Sequence, residues 1–113
     1  MVITLLSDFG DIYPASMKGI ILSIDPSANI VDISHSIPKF DIRGGAFILM
    51  TCAKYFPVGT VHIAVVDPGV GTDRRSIAIK AVSDNGAVHF FTGPDNGLLI
   101  PAVRSMGEFK FTR

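Results

Sequence analysis

The sequence predicts a small three-layer α/β domain, in which a largely parallel central sheet is flanked by helices and followed by a C-terminal hairpin. Three observations predict this fold class. Residues 1–66 contain two units in which an apolar run, an amphipathic helical pattern and another apolar run follow one another, as in β-α-β units. An Asn85-Gly86 pair separates two later apolar runs, which is typical of a hairpin. The length of 113 residues suits one domain.

The first unit begins with a predicted strand at residues 2–6, Val-Ile-Thr-Leu-Leu, which a loop at residues 7–10 closes. Pro14 suits the first turn of a helix, because an N–H group is not needed there. Pro26 ends that helix. The apolar residues of the helix recur at i, i+3, i+4 and i+7 and so form one face: Met17, Ile20, Ile21 and Ile24.

The second unit begins with a predicted strand at residues 29–33, followed by a polar turn. Asp41 can cap the helix that comes next, because its carboxylate can accept from backbone N–H groups of the first turn. Gly59 closes the unit before a strand at residues 60–66. The core stripe predicted for this helix consists of Ile42, Ala46, Leu49, Met50 and Ala53.

Two further strands, at residues 76–81 and 88–92, are predicted to form the hairpin. A loop at residues 93–97 follows, and it leads to a short helix around residues 98–106.

The composition argues against several classes of partner. Ten Lys and Arg balance ten Asp and Glu, so no net charge attracts nucleic acid or an anionic membrane. The longest apolar runs are too short to cross a bilayer, and no secretion leader precedes Val2. The single cysteine, Cys52, cannot form an internal disulfide, which fits a reducing cytoplasm. A hydrophobic fraction of 48% favours contact with another domain or subunit.

Two acidic residues follow predicted strands of the parallel sheet. Asp8 comes after the first strand, Asp67 follows the strand at residues 60–66, and Asp11 lies near Asp8 in the sequence. Ligands of open α/β sheets bind beyond the carboxyl ends of the strands, although such acids also commonly cap turns. Arg74, close to Asp67, favours a binding site. Three acids are also compatible with a Mg²⁺-dependent phosphohydrolase, but no phosphate-binding glycine motif accompanies them.

The histidines and the cysteine differ in what their positions indicate. On a regular strand His62 faces away from Asp67, which predicts a structural role, and His89 in the predicted hairpin is also interpreted as structural. Cys52 falls within the second helix as a small buried residue. His35 ends a strand on the side of the predicted site, so a structural role and a role in the site both stay open for it.

Five segments taken in order resemble one family. They are Ser-Asp-Phe-Gly (7–10), Met-Lys-Gly (17–19), Asp-Ile-Ser-His-Ser-Ile-Pro (32–38), the turn at 66–75 and Pro-Asp-Asn-Gly-Leu-Leu (94–99). This pattern is similar to the N-terminal domain of the S-adenosyl-L-methionine (SAM) hydroxide adenosyltransferases, relatives of the fluorinases and chlorinases. The resemblance covers essentially the whole chain, so residues 1–113 are expected to form that N-terminal domain, with the C-terminal domain absent.

The resemblance implies a reaction and an assembly. SAM is the expected substrate, and water or hydroxide displaces methionine at C5′ to give adenosine and L-methionine. No cofactor and no metal are implied. Family members form homotrimers in which each site lies between the N-terminal domain of one subunit and the C-terminal domain of the next.

The resemblance also assigns substrate contacts. Asp8 matches the acid that holds the ribose diol, which suits a carboxylate accepting from two hydroxyl groups. Asp11 falls near a position that lines the substrate pocket. Phe40 matches an aromatic position that packs on the substrate, where a ring face attracts a sulfonium cation.

Asp67 and Arg74 match two members of an Asp-Arg-His set associated with the hydroxide enzymes, and Arg75 is the alternative if the register differs by one. Fluorinase has a tyrosine where Asp67 stands, which favours hydrolysis. Asp67 would orient or deprotonate water while Arg74 keeps its carboxylate ionised. The histidine of the set is expected beyond Arg113, so the chain alone is expected to have little or no turnover. The alternative is a non-catalytic nucleoside-binding or assembly module.

Overall fold

The computed structural model describes residues 1–68 and 75–112. These residues contain nine elements of secondary structure. In chain order they are β1 (Val2–Ser7), α1 (Tyr13–Ile24), β2 (Asn29–Ser34), α2 (Ile42–Ala53), β3 (Val61–Val65), β4 (Ser76–Ser83), β5 (Val88–Pro94), α3 (Ile100–Met106) and β6 (Gly107–Thr112).

The strands form one mixed sheet in the order β2-β1-β3-β5-β4-β6. β1 pairs in parallel with β2 and β3, and β3 pairs in parallel with β5. β4 runs antiparallel to both β5 and β6. The predicted α/β class with a largely parallel centre is therefore confirmed, and β4 and β5 form the predicted hairpin.

Strand β6 was not predicted. Its residues alternate charged and aromatic side chains, Glu-Phe-Lys-Phe at 108–111, which is a two-residue period typical of a strand. The strand begins immediately after α3, at Gly107, whose φ of 128° lets the chain turn without a loop. Because no loop separates the helix from the strand, the sequence gives no signal for the boundary between them.

The hydrophobic core lies on the face of the sheet that α2 and α3 cover. Ala46, Leu49 and Ala53 of the predicted α2 stripe are buried, and Ile42 and Met50 pack against them partly buried. The strands contribute Leu6, Ala64, Ile77, Ile79, Ala81 and Phe91 to this core cluster, and Val66 joins it just after the end of β3.

Helix α1 differs, because its apolar face is largely uncovered. Helix α1 connects β1 to β2, and α2 connects β2 to β3 in the opposite direction across the sheet. Because crossovers between parallel strands are right-handed, these two connections place α1 and α2 on opposite faces of the sheet. Pro14 is the buried residue of α1, whereas Ile20 and Ile24 are exposed. Within the described residues, no helix is both long and apolar enough to cross a membrane.

His62 and His89 lie in the core, in agreement with the structural role predicted for them. His62 Nδ1 is 2.8 Å from the hydroxyl of Thr4, and its Nε2 is 3.0 Å from Nδ1 of His89. Burial and, to a smaller extent, the neighbouring His89 together lower the pKa of His62 to about 4. Burial also lowers the pKa of His89. The folded protein therefore holds this pair uncharged.

We expect the pair to make stability depend on pH. The unfolded chain binds a proton at His62 below about pH 6.5, whereas the folded chain resists it until about pH 4. The free energy of unfolding should therefore fall between pH 6.5 and pH 4, by up to about 3 kcal/mol, and level off below. Urea unfolding followed by circular dichroism measures this. A His62→Asn variant should start less stable and lose most of the slope, and an unchanged slope would contradict the assignment.

Two glycines give a matched test of the packing. A Cβ atom at Gly93 would lie 2.3 Å from the carbonyl oxygen of Ala64, whereas one at Gly19, inside α1, meets no atom within 4 Å. We expect Gly93→Ala to lower the free energy of unfolding by about 2 kcal/mol through overpacking, and Gly19→Ala to raise it by about 0.5–1 kcal/mol. Thermal unfolding of both variants checks the opposite signs, and a neutral Gly93→Ala would show that β3 and β5 can separate.

Candidate functional site

A cavity of about 420 Å³ opens where strands β1 and β3 end. Ser7 pairs with Val65 in the parallel register, so the residues that follow both strands leave the sheet side by side. The first turns of α1 form one wall, and the loop between β2 and α2 contributes the other. The lining residues are Asp8, Phe9, Tyr13, Ser16, Met17, Ile20, Lys39, Phe40 and Asp67. Three of the predicted site residues, Asp8, Phe40 and Asp67, are therefore brought together.

Asp8 is a buried carboxylate, with 6% of its surface exposed, at the edge of this cavity. Its Oδ2 accepts a hydrogen bond of 2.8 Å from the backbone N–H of Phe40. The carboxylate therefore fixes the backbone of the residue whose ring lines the same cavity. Since an ionised carboxylate offers about four lone-pair positions, Asp8 can accept further donors from a ligand.

Phe40 has a strained backbone. Its φ of 63° is the only positive value at a non-glycine residue in the described part of the chain. This left-handed conformation costs an L-residue about 1–2 kcal/mol, and residues under such strain concentrate at functional sites. The residue is 55% exposed, and Lys39 Nζ lies 6.0 Å from the centroid of its ring. The structure thus holds an aromatic face open to the cavity in a position that already attracts a cation.

Asp67 is the second buried carboxylate of the lining, with 5% of its surface exposed. The peptide before it is held by Asn96, whose side-chain amide donates to the carbonyl of Val66 over 2.9 Å. Asn96 Oδ1 in turn accepts from the N–H of Leu98. The segment at 94–99 therefore acts as a clamp on the end of β3, a role that its sequence did not reveal.

The other predicted site residues lie elsewhere. Asp11 is exposed in the turn between β1 and α1 and does not line the cavity. Arg74 falls among residues 69–74, outside the described residues. Arg75 is exposed, and its carbonyl accepts from the N–H of Asp95 over 2.9 Å. The contribution of an arginine to the site stays a prediction.

The apolar wall of the cavity was not predicted. Tyr13, Met17 and Ile20 of α1 line it together with Phe9. The repeat of Met17 and Ile20 on one helical face was recognised, but in the structure this face meets the cavity as well as solvent. Among the described residues no group of three or more His, Cys, Asp and Glu side chains is arranged to hold a metal ion.

Comparison with known proteins decides the family. Residues 3–112 match the family described as the SAM hydroxide adenosyltransferase N-terminal domain. The chain belongs to this family. The predicted resemblance is thus confirmed.

Several curated relatives match nearly the whole chain. A protein of Methanocaldococcus jannaschii named (R)-S-adenosyl-L-methionine hydrolase is 44% identical, over 94% of this chain and 41% of the relative. The hydrolase of the same name from Salinispora arenicola is 42% identical, over 93% of this chain and 39% of the relative. A fluorinase of Actinoplanes sp. is 32% identical, over 94% of this chain and 42% of the relative. The chain thus spans about two fifths of the length of these relatives.

A solved structure shares the fold. The crystal structure of an uncharacterized conserved protein from Thermotoga maritima superposes with a TM-score of 0.83 at 34% identity, covering all of this chain and 43% of that one.

The strain at Phe40 gives a prediction with a matched control. We expect Phe40→Gly to leave the free energy of unfolding unchanged or to raise it by up to about 1 kcal/mol, because glycine adopts a positive φ without cost. Phe47 of α2 is similarly exposed, at 59%, but helical. Phe47→Gly should therefore lower stability by about 1 kcal/mol. Chemical unfolding of both variants checks this, and equal losses would mean that the backbone of Phe40 is not strained.

Proposed function

We propose that this chain supplies the N-terminal half of a site that hydrolyses SAM to adenosine and L-methionine, by attack of water or hydroxide at C5′. One observation carries the proposal. A single cavity at the carboxyl ends of β1 and β3 combines two buried carboxylates, Asp8 and Asp67, with an exposed aromatic face.

The charge and polarity of this cavity suit the proposed substrate. SAM joins a polar nucleoside to a positively charged sulfonium. Two carboxylates and the ring of Phe40 favour a cation, and the α1 wall of Tyr13, Met17 and Ile20 suits the apolar faces of a nucleoside. A volume of about 420 Å³ lies within the usual range for small-molecule sites.

Asp8 is proposed to bind the ribose. Its Oδ2 is engaged by the N–H of Phe40, and its remaining acceptor capacity can take the two vicinal hydroxyl groups. This arrangement would place the ribose between Asp8 and Phe40, so that the nucleoside stacks along the aromatic face. Asp11, which the resemblance also assigns to the pocket, is proposed only as a peripheral contact, since it lies outside the cavity lining.

Asp67 is proposed to handle the attacking water. A carboxylate can orient a water molecule and accept its proton as the C–S bond breaks. Arg74, which follows Asp67 by seven residues in the sequence, is proposed to keep the Asp67 carboxylate ionised. Hydrolysis is favoured over halogenation because identity to the hydrolases is 40–44%, whereas identity to the fluorinases is 29–32%.

The wider setting belongs to the same proposal. We propose that the complete site forms in a homotrimer, between this domain and a C-terminal domain of a neighbouring subunit, without a cofactor or metal. The reducing cytoplasm is the proposed location, because Cys52 is a free thiol.

A second candidate is a nucleoside-binding or assembly module without turnover. The uncovered apolar residues Ile20 and Ile24 of α1, and Ile12 just before it, favour this candidate, because exposed apolar surface of this kind marks contact with another domain or subunit. When this chain is joined to a C-terminal domain of the family, adenosine binding without release of adenosine from SAM would support this candidate.

The carboxylates can be tested one at a time by NMR titration with adenosine. Asp8→Asn should weaken binding about tenfold or more, because a hydrogen bond to a charged acceptor contributes about 1.5–3 kcal/mol. Asp67→Asn should change it less than about threefold, since Asp67 is assigned to water and not to the nucleoside. Asp84→Asn, in the exposed hairpin turn, is the matched control. Equal affinities of the Asp8→Asn variant and the wild type would refute the proposed ribose contact.

Turnover is measured separately, as adenosine released from SAM. We expect little or none from the 113-residue chain alone. Release at an ordinary enzymatic rate would contradict the view that the chain provides only half of the site.

A further inference from the structure

Four polar side chains form a continuous chain of contacts beside the cavity. Lys18 of α1 contacts Oδ2 of Asp32 in β2. The other oxygen of Asp32, Oδ1, is 2.8 Å from Nε2 of His35. Nδ1 of His35 is 2.6 Å from the hydroxyl of Ser7, the last residue of β1. We refer to Ser7, His35, Asp32 and Lys18 as the relay.

An irregularity in the sheet creates this arrangement. Leu5 pairs with Asp32, but Leu6 pairs with Ser34, so the register between β1 and β2 skips one residue. In an unbroken register Ser7 would approach Ser34, whereas the skip brings His35 beside it. Such bulges commonly re-aim a side chain next to a functional site.

The relay joins the end of β1 to helix α1 beside the cavity. Ser7 precedes Asp8, and Lys18 follows Met17, and both of these neighbours line the cavity. His35 also holds the loop through its backbone, because its carbonyl accepts from the N–H of Gly10 over 3.0 Å. The loop that carries Asp8 is therefore tied to His35 on both sides of the carboxylate.

The donors along the relay can be assigned. An ionised carboxylate only accepts. Burial of Asp32 raises its pKa, but the hydrogen bonds from Lys18 and His35 and the charge of Lys18 outweigh this, and the pKa lies below its usual value. Nε2 of His35 must therefore carry the proton that Asp32 accepts. In the neutral ring Nδ1 then accepts from the hydroxyl of Ser7.

A Ser-His-Asp series also suggests a nucleophilic serine. The burial of Ser7 argues against that role, because its side chain has no exposed surface through which a substrate could reach it. Its oxygen also accepts a hydrogen bond of 3.3 Å from the N–H of Phe9. Both observations favour a positioning role.

We propose that His35 and Asp32 are positioning residues which hold the loop of Asp8 and helix α1 at a fixed separation, and which thereby set the recognition of the ribose hydroxyl groups. The proposal rests on the proposed function for the identity of the ligand, but not for the geometry. The bond between His35 and Ser7 carries most of the effect because it is partly buried, whereas the exposed pair of Lys18 and Asp32 contributes little by itself.

The geometry is tested first, without a ligand. ¹⁵N NMR of the wild-type ring should show His35 protonated at Nε2 and unprotonated at Nδ1. Amide hydrogen exchange at Phe9 and Gly10 should become about tenfold faster in His35→Ala. Ser36→Ala is the matched control, because Ser36 is exposed in the same loop and its hydroxyl makes no hydrogen bond within the described residues. The opposite tautomer, or unchanged exchange, would overturn the proposal, and the tautomer can be read even if His35→Ala does not fold.

Recognition is tested with adenosine and 2′-deoxyadenosine. We expect the dissociation constant for adenosine to rise about five- to tenfold in His35→Ala. In the same variant the dissociation constants for adenosine and 2′-deoxyadenosine should differ by no more than about twofold. Asp32→Asn should have a smaller effect, and His35→Asn, which retains an amide near the position of Nδ1, an intermediate one. Ser36→Ala should match the wild type.

The outcomes separate this proposal from the proposed function. A wild-type chain that binds neither nucleoside would count against the proposed function, while the tautomer and amide exchange would still decide the relay. A His35→Ala variant that folds, binds adenosine with wild-type affinity and keeps its discrimination would overturn the relay alone.

Discussion

The parallel pairing of β1 with β3 is the constraint on which the site depends. Because Ser7 and Val65 are partners in the register, the chain leaves both strands at the same edge of the sheet, and Asp8 and Asp67 are carried to one cavity. Burying a charged carboxylate is unfavourable unless it is paired or hydrogen-bonded. The fold, and not a preference of the side chains, therefore keeps both carboxylates buried at the cavity. The bond from Phe40 N–H to Asp8 shows how part of that cost is met, and it holds a strained residue in place at the same time.

The two faces of the sheet are covered unequally. Helices α2 and α3 close a well-packed core on one face, which includes the uncharged pair of His62 and His89. On the other face α1 is attached mainly at its start and through the relay, and much of its apolar surface is open. A well-packed half of the domain thus supports a less covered half, and the cavity lies where the two meet. This division fits a family whose members are more than twice as long as this chain.

Much of the fold could be predicted from short-range signals. Proline at the start of α1, aspartate before α2 and the Asn85-Gly86 turn mark boundaries because each residue has a local conformational reason to be there. Strand β6 was not predicted because it follows α3 without a loop. The exposure of the apolar face of α1 was not predicted either, since periodicity identifies an apolar stripe but does not show whether another element covers it.

The site was only partly predictable for a similar reason. Asp8, Asp67 and the ring of Phe40 could be placed together from strand order and resemblance, because carboxyl ends of parallel strands share an edge. The positive φ of Phe40, the clamp by Asn96 and the approach of His35 to Ser7 depend on loop geometry and on one skipped residue in the register. No residue pattern signals these features.

The most direct test of the central claim is a crystal structure of this chain with adenosine bound. We expect the ribose hydroxyl groups within about 3 Å of the Asp8 carboxylate, with the nucleoside between the ring of Phe40 and the wall formed by α1. Adenosine ordered elsewhere, for example against Phe90 on the open face of the sheet, with no contact to Asp8, would contradict the account.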